Sequence, residues 1–323
     1  MKIAVTGGAG FIGARLVKAL ENQGHEVVVL DSAAPHPVDV TDEAAVMGAL
    51  RGVEVIYNLA AEHRDDVRPL QRYYDVNVGG AEILVRAAKA HGIKTIIFTS
   101  TVAVYGLNAG ESRESDVPQP FNDYGRSKLE AEDIFNAWQQ ENATDNTLVT
   151  LRLVATFGPG NRGNVHTLID QIARGRFVMV GDGSNHKSLA YVENVVAFLA
   201  HCLTQGTGAH IYNYADKPDM NMRDMVAQIR KSLGMKKKGV QIPYPIGLAG
   251  GIVFDQIARV TGKNFPISSI RVKKFCADTI VNSDKRNETG FTAPFSLADG
   301  LEAMINADFS QVQIAQNKAE DAA

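Results

Sequence analysis

A glycine-rich segment near the start of the chain constrains the fold more than any other feature. Thr6–Gly13 reads TGGAGFIG; it follows an apolar run, Lys2–Thr6, and opens a helical pattern, Phe11–Asn22. Glycines at this spacing permit a tight turn and close packing between a strand and the helix that follows it. Strand, glycine turn and helix in this order predict the first unit of a parallel sheet covered by helices.

Strands and helices continue to alternate along the chain. Apolar runs predict further strands at Glu26–Leu30, Val55–Leu59, Thr95–Thr99, Leu148–Leu153 and His210–Tyr214. Helical patterns lie at Asp42–Leu50, Arg72–Ala90, Asp123–Glu141, Val192–Leu203, Met222–Leu233, Ile246–Val260 and Ser268–Cys276. This order predicts an α/β fold, in which a Rossmann-type doubly wound parallel sheet is joined to a smaller, mostly helical C-terminal lobe.

The glycine-rich turn is also suited to binding an anion. Backbone N–H groups of Gly7, Gly10, Phe11, Ile12 and Gly13, together with the helix N-terminus, are expected to hold a pyrophosphate. Asp31 ends the second strand, where a carboxylate accepts hydrogen bonds from ribose hydroxyls and repels a 2′-phosphate. No arginine follows within several residues, so we predict NAD rather than NADP as the cofactor. Asp39 and Val40 lie beside the adenine or form a structural turn, and the sequence favours neither.

The cofactor motif sets the predicted domain boundaries. We expect residues 1–155 to form an NAD-binding Rossmann domain, to which residues 186–214 return. Residues 156–185 and 215–307 are expected to form the substrate-binding lobe. Residues 308–323 are polar with little periodicity and are expected to be a flexible tail.

Tyr124 and Lys128 are the candidate catalytic pair. Side chains at positions i and i+4 lie on one face of a helix. Tyrosine titrates near pH ~10, and a neighbouring ammonium group lowers that pKa by favouring the phenolate. A phenolate can take the proton of a substrate hydroxyl while a hydride leaves the same carbon for NAD. Thr101 follows the fourth strand, where its hydroxyl either holds the substrate oxygen or satisfies backbone groups in a turn.

These motifs together resemble the extended short-chain dehydrogenases/reductases, and more narrowly their sugar-nucleotide epimerase/dehydratase branch. The resemblance extends to about Ala307 and includes Asn58–Ala61 after the third strand. It implies that Thr101, Tyr124 and Lys128 are catalytic. It also implies cofactor contacts from Tyr124 and Lys128 and from Leu59, Ala60, Ala61 and Thr99. Asn77 matches a family asparagine on the fourth helix. A homodimer through the helices at 72–90 and 123–141 is implied as well.

The residues after Thr101 limit the reaction. Related 4,6-dehydratases have Asp-Glu there, and these carboxyl groups transfer protons during the loss of water. This chain has Val102 and Ala103, which cannot transfer protons. We therefore expect 4-epimerisation of a sugar by transient oxidation at C4 and return of the hydride. A net NAD-dependent sugar oxidoreductase is the alternative.

Two departures concern the group attached to the sugar. UDP-sugar epimerases commonly have an asparagine where this chain has Ala155, and an arginine where it has Lys187. The stretches 61–67, 73–77, 161–165 and 271–276 are instead similar to bacterial 4-epimerases of N-acetylglucosamine linked by diphosphate to undecaprenol. The resemblance implies a GlcNAc/GalNAc-diphospho-undecaprenol substrate, with UDP-GlcNAc or UDP-glucose as the alternative.

Five residues are predicted to contact the substrate. They are His63, Arg64, Thr101, Arg162 and Lys187. A surface ion pair within residues 62–66 is an equal alternative for His63 and Arg64.

Charge and composition bear on the partners and the location. Residues 223–274 carry eleven Lys/Arg against two Asp, a net charge of +9, which suits a solvated face, a diphosphate or a membrane surface. The uncharged run 239–254 is either core of the small lobe or a segment at the membrane interface. Two distant cysteines and the absence of an apolar signal or of a spanning run of about 18 residues favour a cytoplasmic location, with peripheral contact at the inner membrane face as a further expectation. We predict no metal site and no nucleic-acid partner.

Overall fold

The computed structural model describes residues 1–64, 67–106, 110–235, 239–261 and 268–311. Its strands are β1 (Lys2–Thr6), β2 (Glu26–Leu30), β3 (Val55–Asn58), β4 (Thr95–Thr101), β5 (Glu111–Ser112), β6 (Thr147–Leu153), β7 (Ala155–Phe157), β8 (Val178–Val180), β9 (His186–Lys187), β10 (Leu189–Tyr191), β11 (Gly208–Tyr214), β12 (Met220–Asn221), β13 (Val240–Ile242) and β14 (Ile280–Val281). Its α-helices are α1 (Gly13–Asn22), α2 (Glu43–Ala49), α3 (Gln71–Tyr74), α4 (Gly80–His91), α5 (Asp123–Glu141), α6 (Asn164–Ala173), α7 (Val192–His201), α8 (Met222–Ser232), α9 (Tyr244–Thr261), α10 (Ser269–Cys276), α11 (Asp284–Asn287) and α12 (Leu297–Asp308). Lys236–Lys238 and Lys263 of the basic segment, and 312–323 of the predicted tail, lie outside the described residues.

Six of these strands form one parallel sheet in the order β2-β1-β3-β4-β6-β11. The sheet interior is made of apolar runs that are buried on both faces, such as Ile96–Phe98 of β4. The order reverses between β1 and β3, the point at which such sheets bind dinucleotides beyond the carboxyl ends of their strands. The predicted α/β class and doubly wound sheet are confirmed.

Helices bury apolar side chains on both faces of the sheet. On one face, residues of α2, α4 and α5 enclose a core that includes Val46, Leu84, Phe135 and Trp138. On the other face lie α1 and α7, and the buried Tyr57 hydroxyl of β3 donates to the Leu199 carbonyl at 2.9 Å. This double cover explains why strands in this sheet are apolar throughout rather than alternating.

The predicted helix at Arg72–Ala90 is not continuous. Its first part, α3, passes into a π-helical turn, Asp75–Gly79, before α4 begins at Gly80. The turn carries Asn77, which is buried and fully engaged in hydrogen bonds with neighbouring segments. π-Helical turns are rare and often lie at functional sites, so the helical pattern of the sequence concealed a local feature.

The chain divides into two compact units. Unit 1 comprises residues 1–156, 190–215 and 281–295, and unit 2 comprises 157–189, 216–280 and the rest of the C-terminal segment. Residues 281–295, predicted to be part of the substrate lobe, belong to unit 1 in this division. There the Phe295 N–H donates to the Asn194 side chain at 3.0 Å, and the Asn194 amide donates back to the Phe295 carbonyl at 2.8 Å.

Unit 2 is mainly helical. Helix α8 packs against α6 and α12, and α9 packs against α10. Two short ladders complete it, β13 with β8 in parallel and β12 with β9 in antiparallel orientation. Among the residues that the structure describes, no helix is long and apolar enough to cross a bilayer.

Candidate active site

The turn between β1 and α1 has the shape of a phosphate cradle. Gly7 has a φ of +66°, and a Cβ there would lie 2.8 Å from the Ala60 nitrogen. A Cβ on Gly13 would lie 2.0 Å from the Gly7 carbonyl oxygen. In the described part of the chain, no side chain caps the first turn of α1, so its positive dipole end faces the open turn. These residues therefore fit a pyrophosphate, as expected from the sequence.

Polar side chains fix the strand ends around this turn. The Thr6 hydroxyl donates to Asn58 Oδ1 at 2.7 Å and accepts from the Leu59 and Ala60 N–H groups at 3.2 and 3.1 Å. The Thr99 hydroxyl donates to the Asn58 carbonyl at 3.2 Å. The predicted cofactor contacts thus lie at the carboxyl ends of two neighbouring strands, beside Thr6 of β1: Leu59 and Ala60 follow β3, and Thr99 lies near the end of β4. Ala61 is next in the chain after Ala60.

Asp31, which directly follows β2, contacts the turn between β1 and α1. Its two carboxylate oxygens accept from the Ala9 N–H at 3.0 Å and the Ala33 N–H at 2.8 Å. An ionised carboxylate can accept about four hydrogen bonds, so capacity remains for ribose hydroxyls. The exposed Asp39 accepts from the Thr41 N–H and hydroxyl in a local turn, and Val40 is buried against Gly80. The contacts of residues 39 and 40 are therefore those of a structural turn, which was one of the two alternatives predicted for them.

Helix α5 places Tyr124 and Lys128 one turn apart. The helix begins at Asp123 because the Asn122 side chain accepts the Gly125 N–H at 2.8 Å. A Cβ on Gly125 would lie 2.7 Å from the Ala103 carbonyl oxygen. The first turn of α5 therefore contacts the 3₁₀ turn that follows Thr101, and glycine is needed for that approach.

Thr101 ends β4 and is buried. Its hydroxyl oxygen accepts the Ala103 N–H at 3.2 Å, which starts the 3₁₀ turn at Val102–Tyr105. That bond leaves the hydroxyl proton available as a donor. The Thr101 hydroxyl therefore satisfies a backbone group in a turn, which was one of the two predicted roles. Its proton can still be donated to a substrate oxygen.

Lys128 is fully buried, and burial lowers the pKa of its ammonium group to about 7 although Glu132 opposes the shift. The ammonium lies 4.2 Å from the centre of the Phe98 ring. A cation–π contact and one carboxylate a turn away replace hydration only in part. Ligand oxygens within reach of the Lys128 ammonium, such as ribose hydroxyls, would therefore stabilise its charged form.

Replacing Lys128 with methionine is expected to raise the unfolding temperature of the ligand-free protein. The folded-state pKa lies below the unfolded value of 10.5, so folding disfavours the charged form. The cost is complete below pH 7 and falls as pH rises towards 10.5. The gain in stability should thus be larger at pH 6 than at pH 9, by up to about 3 kcal/mol at ~1.4 kcal/mol per pKa unit. Thermal unfolding at the two pH values measures it, and an equal or smaller gain at pH 6 would contradict the inferred burial cost.

A buried ion pair anchors the same helix to the sheet. Arg152 of β6 donates from Nε to Glu132 Oε1 at 3.0 Å and from Nη2 to Oε2 at 2.6 Å. Ser100 donates to the same carboxylate, and Arg152 also donates to the Tyr105 hydroxyl at 2.8 Å. Burial opposes the shift, but the hydrogen bonds that Arg152 donates to the Glu132 carboxylate raise the pKa of Arg152. Glu132 was not among the residues predicted for the site, and its i+4 spacing from Lys128 was the available signal.

Asn77 links the π-helical turn to the loop after β3 and to α5, the helix that carries Tyr124 and Lys128. Its Oδ1 accepts the Glu62 N–H at 2.9 Å, and its amide donates to the Glu62 carbonyl at 3.1 Å and to the Ser127 hydroxyl at 2.9 Å. Ser127 in turn donates to the Tyr124 carbonyl at 2.9 Å. The π-helical turn thus fixes the loop after β3 relative to the helix that carries Tyr124.

His63 and Arg64 are exposed on that loop. Arg64 Nε and Arg72 Nε contact the two oxygens of the buried Glu62 carboxylate at 3.2 and 2.8 Å. Burial opposes the shift, but these two arginines lower the pKa of Glu62. The predicted local ion pair exists, and it holds an exposed guanidinium group at the edge where substrate is expected.

The two predicted substrate residues of unit 2 have different surroundings. Arg162 is exposed and contacts the His166 ring. The Lys187 ammonium donates to the Lys274 and Ala277 carbonyls at 3.0 and 2.6 Å and to the Thr279 hydroxyl at 3.3 Å. These acceptors take up its three N–H groups, and burial lowers its pKa. This geometry does not support the prediction that Lys187 binds a diphosphate.

A cavity of about 840 Å³ lies within unit 2. It is bordered by the Gly181–Asn185 loop, by Gln241, Pro243 and Tyr244 near the start of α9, and by Lys273 and Cys276 of α10. Its lining combines backbone groups and the Tyr244 ring with two side chains of opposite charge, those of Lys273 and Asp182.

Comparison with known proteins agrees with this geometry. The chain is 42% identical over 315 residues to the N-acetyl-alpha-D-glucosaminyl-diphospho-ditrans,octacis-undecaprenol 4-epimerase of Escherichia coli O157:H7, with 95% of each chain covered. It is 27% identical to the 2-alkyl-3-oxoalkanoate reductase of Stenotrophomonas maltophilia, over 93% of this chain and 97% of the relative. The crystal structure of UDP-glucuronic acid 4-epimerase from Bacillus cereus in complex with NAD has the same fold, with a TM-score of 0.74, 22% identity and coverage of 97% and 100%.

A family model matches residues 3–215, the part of the chain that contains the glycine-rich turn, Thr101, Tyr124 and Lys128. The predicted family and its NAD cofactor are thereby confirmed. The chain belongs to the NAD dependent epimerase/dehydratase family.

Proposed function

We propose that this protein is an NAD-dependent 4-epimerase that interconverts the GlcNAc and GalNAc forms of a hexosamine linked by diphosphate to undecaprenol. The observation that carries the proposal is the 42% identity to an enzyme of that name over 95% of both chains. The pairing of Tyr124 with Lys128 on one helix face supports it, because a tyrosine beside a lysine can take and return the proton of a sugar hydroxyl.

Tyr124, Thr101 and Lys128 each have a distinct proposed role. When bound, NAD supplies a nicotinamide ring that accepts a hydride and returns it. Tyr124 holds the proton of the sugar 4-hydroxyl and gives it back, and the Thr101 hydroxyl orients the same oxygen. Lys128 binds ribose hydroxyls, and its positive charge favours the phenolate of Tyr124. Val102 and Ala103 offer no acid or base, so no water is lost.

The loop after β3 supplies a cation for the substrate in this proposal. Replacing Arg64 with alanine is expected to raise the KM about 10- to 100-fold, the worth of one charged hydrogen bond. Folding should be unaffected, since Arg72 still pairs with Glu62 at 2.8 Å. Steady-state kinetics measures the change, and Arg68→Ala, an exposed arginine of the same loop, serves as the matched control. Unchanged kinetics for Arg64→Ala would leave the residue a purely local ion-pair partner.

The function is tested with two substrates offered in parallel and without added NAD. GlcNAc-diphospho-undecaprenol in detergent micelles and UDP-GlcNAc in buffer are incubated with the purified protein, and the released sugars are separated. Conversion to the galacto form on the lipid-linked substrate alone is expected. Conversion of UDP-GlcNAc would favour a nucleotide-sugar 4-epimerase. No conversion in this assay, followed by product formation that consumes NAD stoichiometrically once NAD is added, would favour a net oxidoreductase.

The proposal includes the location and assembly of the protein. We place it in the cytoplasm at the inner face of the membrane, and as a homodimer through the helices at 72–90 and 123–141. The family resemblance supports the dimer, and the chemistry of a polyprenyl substrate supports the location. Sedimentation of the purified protein tests the first, and fractionation of cells tests the second.

A further inference from the structure

Helix α9 presents large apolar side chains to solvent. Ile246 is 61% exposed, Val253 57%, Ile252 48% and Ile257 40%. Ile246, Val253 and Ile257 are spaced i, i+7 and i+11, so they form one stripe along the helix. An amphipathic helix of a globular protein normally turns such a stripe towards the core.

The exposure of the apolar stripe on α9 has a local cause. Gly247 and Gly251 are buried on the opposite side of α9. A Cβ on Gly247 would lie 2.4 Å from Val180 Cγ1, and one on Gly251 would lie 2.8 Å from the Ser269 nitrogen. The helix therefore packs on β8 and on the start of α10 through glycines, and Ile246, Val253 and Ile257 are left exposed.

Cations lie on the neighbouring helix. Arg271, Lys273 and Lys274 of α10 are exposed, and α9 packs directly against α10. The one acidic side chain of α9, Asp255, accepts the Ser269 N–H at 3.2 Å, so its carboxylate faces α10. The two packed helices thus combine an exposed apolar stripe on α9 with three exposed cations on α10.

We propose that this surface of α9 and α10 docks on an anionic lipid bilayer. An exposed apolar stripe enters the interface between headgroups and acyl chains, while neighbouring lysines and arginines are attracted to anionic lipid. A second copy of the chain fits less well, because isologous pairing would bring the same positive charges together. The inference deepens the proposed function and rests on it, since a polyprenyl-linked substrate is held in such a bilayer.

The position of the cavity agrees with docking. Tyr244 of α9 and Lys273 of α10 border it, so the docking helices also form part of its wall. A diphosphate group lies at headgroup depth in a bilayer, while its polyprenyl chain remains among the acyl chains. A protein seated by α9 can receive the head of such a lipid without extracting its tail.

Vesicle flotation tests the proposal. The full-length protein is mixed with phosphatidylcholine vesicles containing about 30% phosphatidylglycerol, or none, at about 50 mM salt. Wild-type protein is expected to float with the anionic vesicles. The Val253→Glu/Ile257→Glu variant should float at least about tenfold less. Val117→Glu, which changes the 78% exposed valine of unit 1, is the matched control and should float like wild type.

Two results would overturn docking. One is wild-type protein that stays at the bottom of the gradient with anionic vesicles, and the other is a double variant that floats like wild type. Loss of self-association in the double variant, seen by sedimentation, would instead assign the stripe to a second copy. Epimerase activity in detergent micelles does not depend on docking. Activity without flotation therefore overturns only this inference, whereas flotation without activity overturns the proposed function.

Discussion

Replacing Tyr124 with phenylalanine is expected to lower the turnover number by a factor of about 10²–10⁴, the usual worth of a positioned general acid–base group. The ring keeps its place on α5, where it lies 6.3 Å from the ring of Tyr73. The variant should therefore fold and retain its cofactor. The rate of galacto product formation and the nucleotide released on denaturation measure the two properties separately.

Tyr74 provides the matched control for Tyr124. Its hydroxyl donates to Asp123 Oδ1 at 3.0 Å, at the start of the same helix. Tyr74→Phe removes a hydroxyl of the same kind from a half-buried tyrosine that is not part of the proposed catalytic pair, so its turnover should stay within about twofold of wild type. Equal losses in the two variants would mean that a disturbed α5, rather than a missing proton carrier, lowers the rate.

Replacing Glu132 with glutamine is expected to cost about 3–5 kcal/mol of unfolding free energy, because Arg152 would remain charged and buried without its partner. Glu132 is 2% exposed and Arg152 is 4% exposed, so water cannot replace the lost carboxylate. The change in unfolding free energy is measured by urea titration. A loss below about 1 kcal/mol would show that Tyr105 and local water can satisfy the guanidinium group.

Two further variants separate charge from packing at Glu132. Glu130→Gln makes the same change at an exposed position of α5 and should alter stability by less than about 0.5 kcal/mol. The double variant Glu132→Leu/Arg152→Met removes both charges and should recover most of the loss. Failure of the double variant to recover would attribute the effect to the shape of the side chains.

The fold was largely predictable from the sequence because its signals are local and periodic. The glycine turn at Thr6–Gly13 lies between a strand and a helix that both appear where expected, and β4 and β6 extend apolar runs that were recognised. Several helix and strand ends differ from the predicted ends by one or two residues; for example, β4 continues to Thr101. Such ends depend on hydrogen bonds that a pattern of apolar residues does not encode.

The placement of the proposed catalytic pair was predictable because one short motif fixes it. Tyr124 and Lys128 need only a regular helix between them to share a face, and α5 provides it. The π-helical turn at Asn77 depends on partners 15 and 50 residues away, Glu62 and Ser127. A single sequence does not reveal such distant pairs.

Lys187 illustrates the same limit in unit 2. Its charge and its place after the Gly181–Gly183 turn suggested an anion ligand. The backbone carbonyls that occupy its ammonium come from residues about ninety positions later, at the end of α10. Which acceptor a lysine finds is decided by tertiary packing, and residue type alone does not specify it.

Helix α5 holds both residues of the proposed catalytic pair, Tyr124 and Lys128, on one rigid element. Asn122 fixes its start, Gly125 seats it on the turn after Thr101, and Glu132 ties its middle to β6. The spacing between Tyr124 and Lys128 is therefore independent of which sugar or leaving group is bound. A change of substrate can be made in the loop after β3 or in unit 2 while the reacting machinery is left intact, which makes this scaffold suited to redesign for other diphosphate-linked sugars.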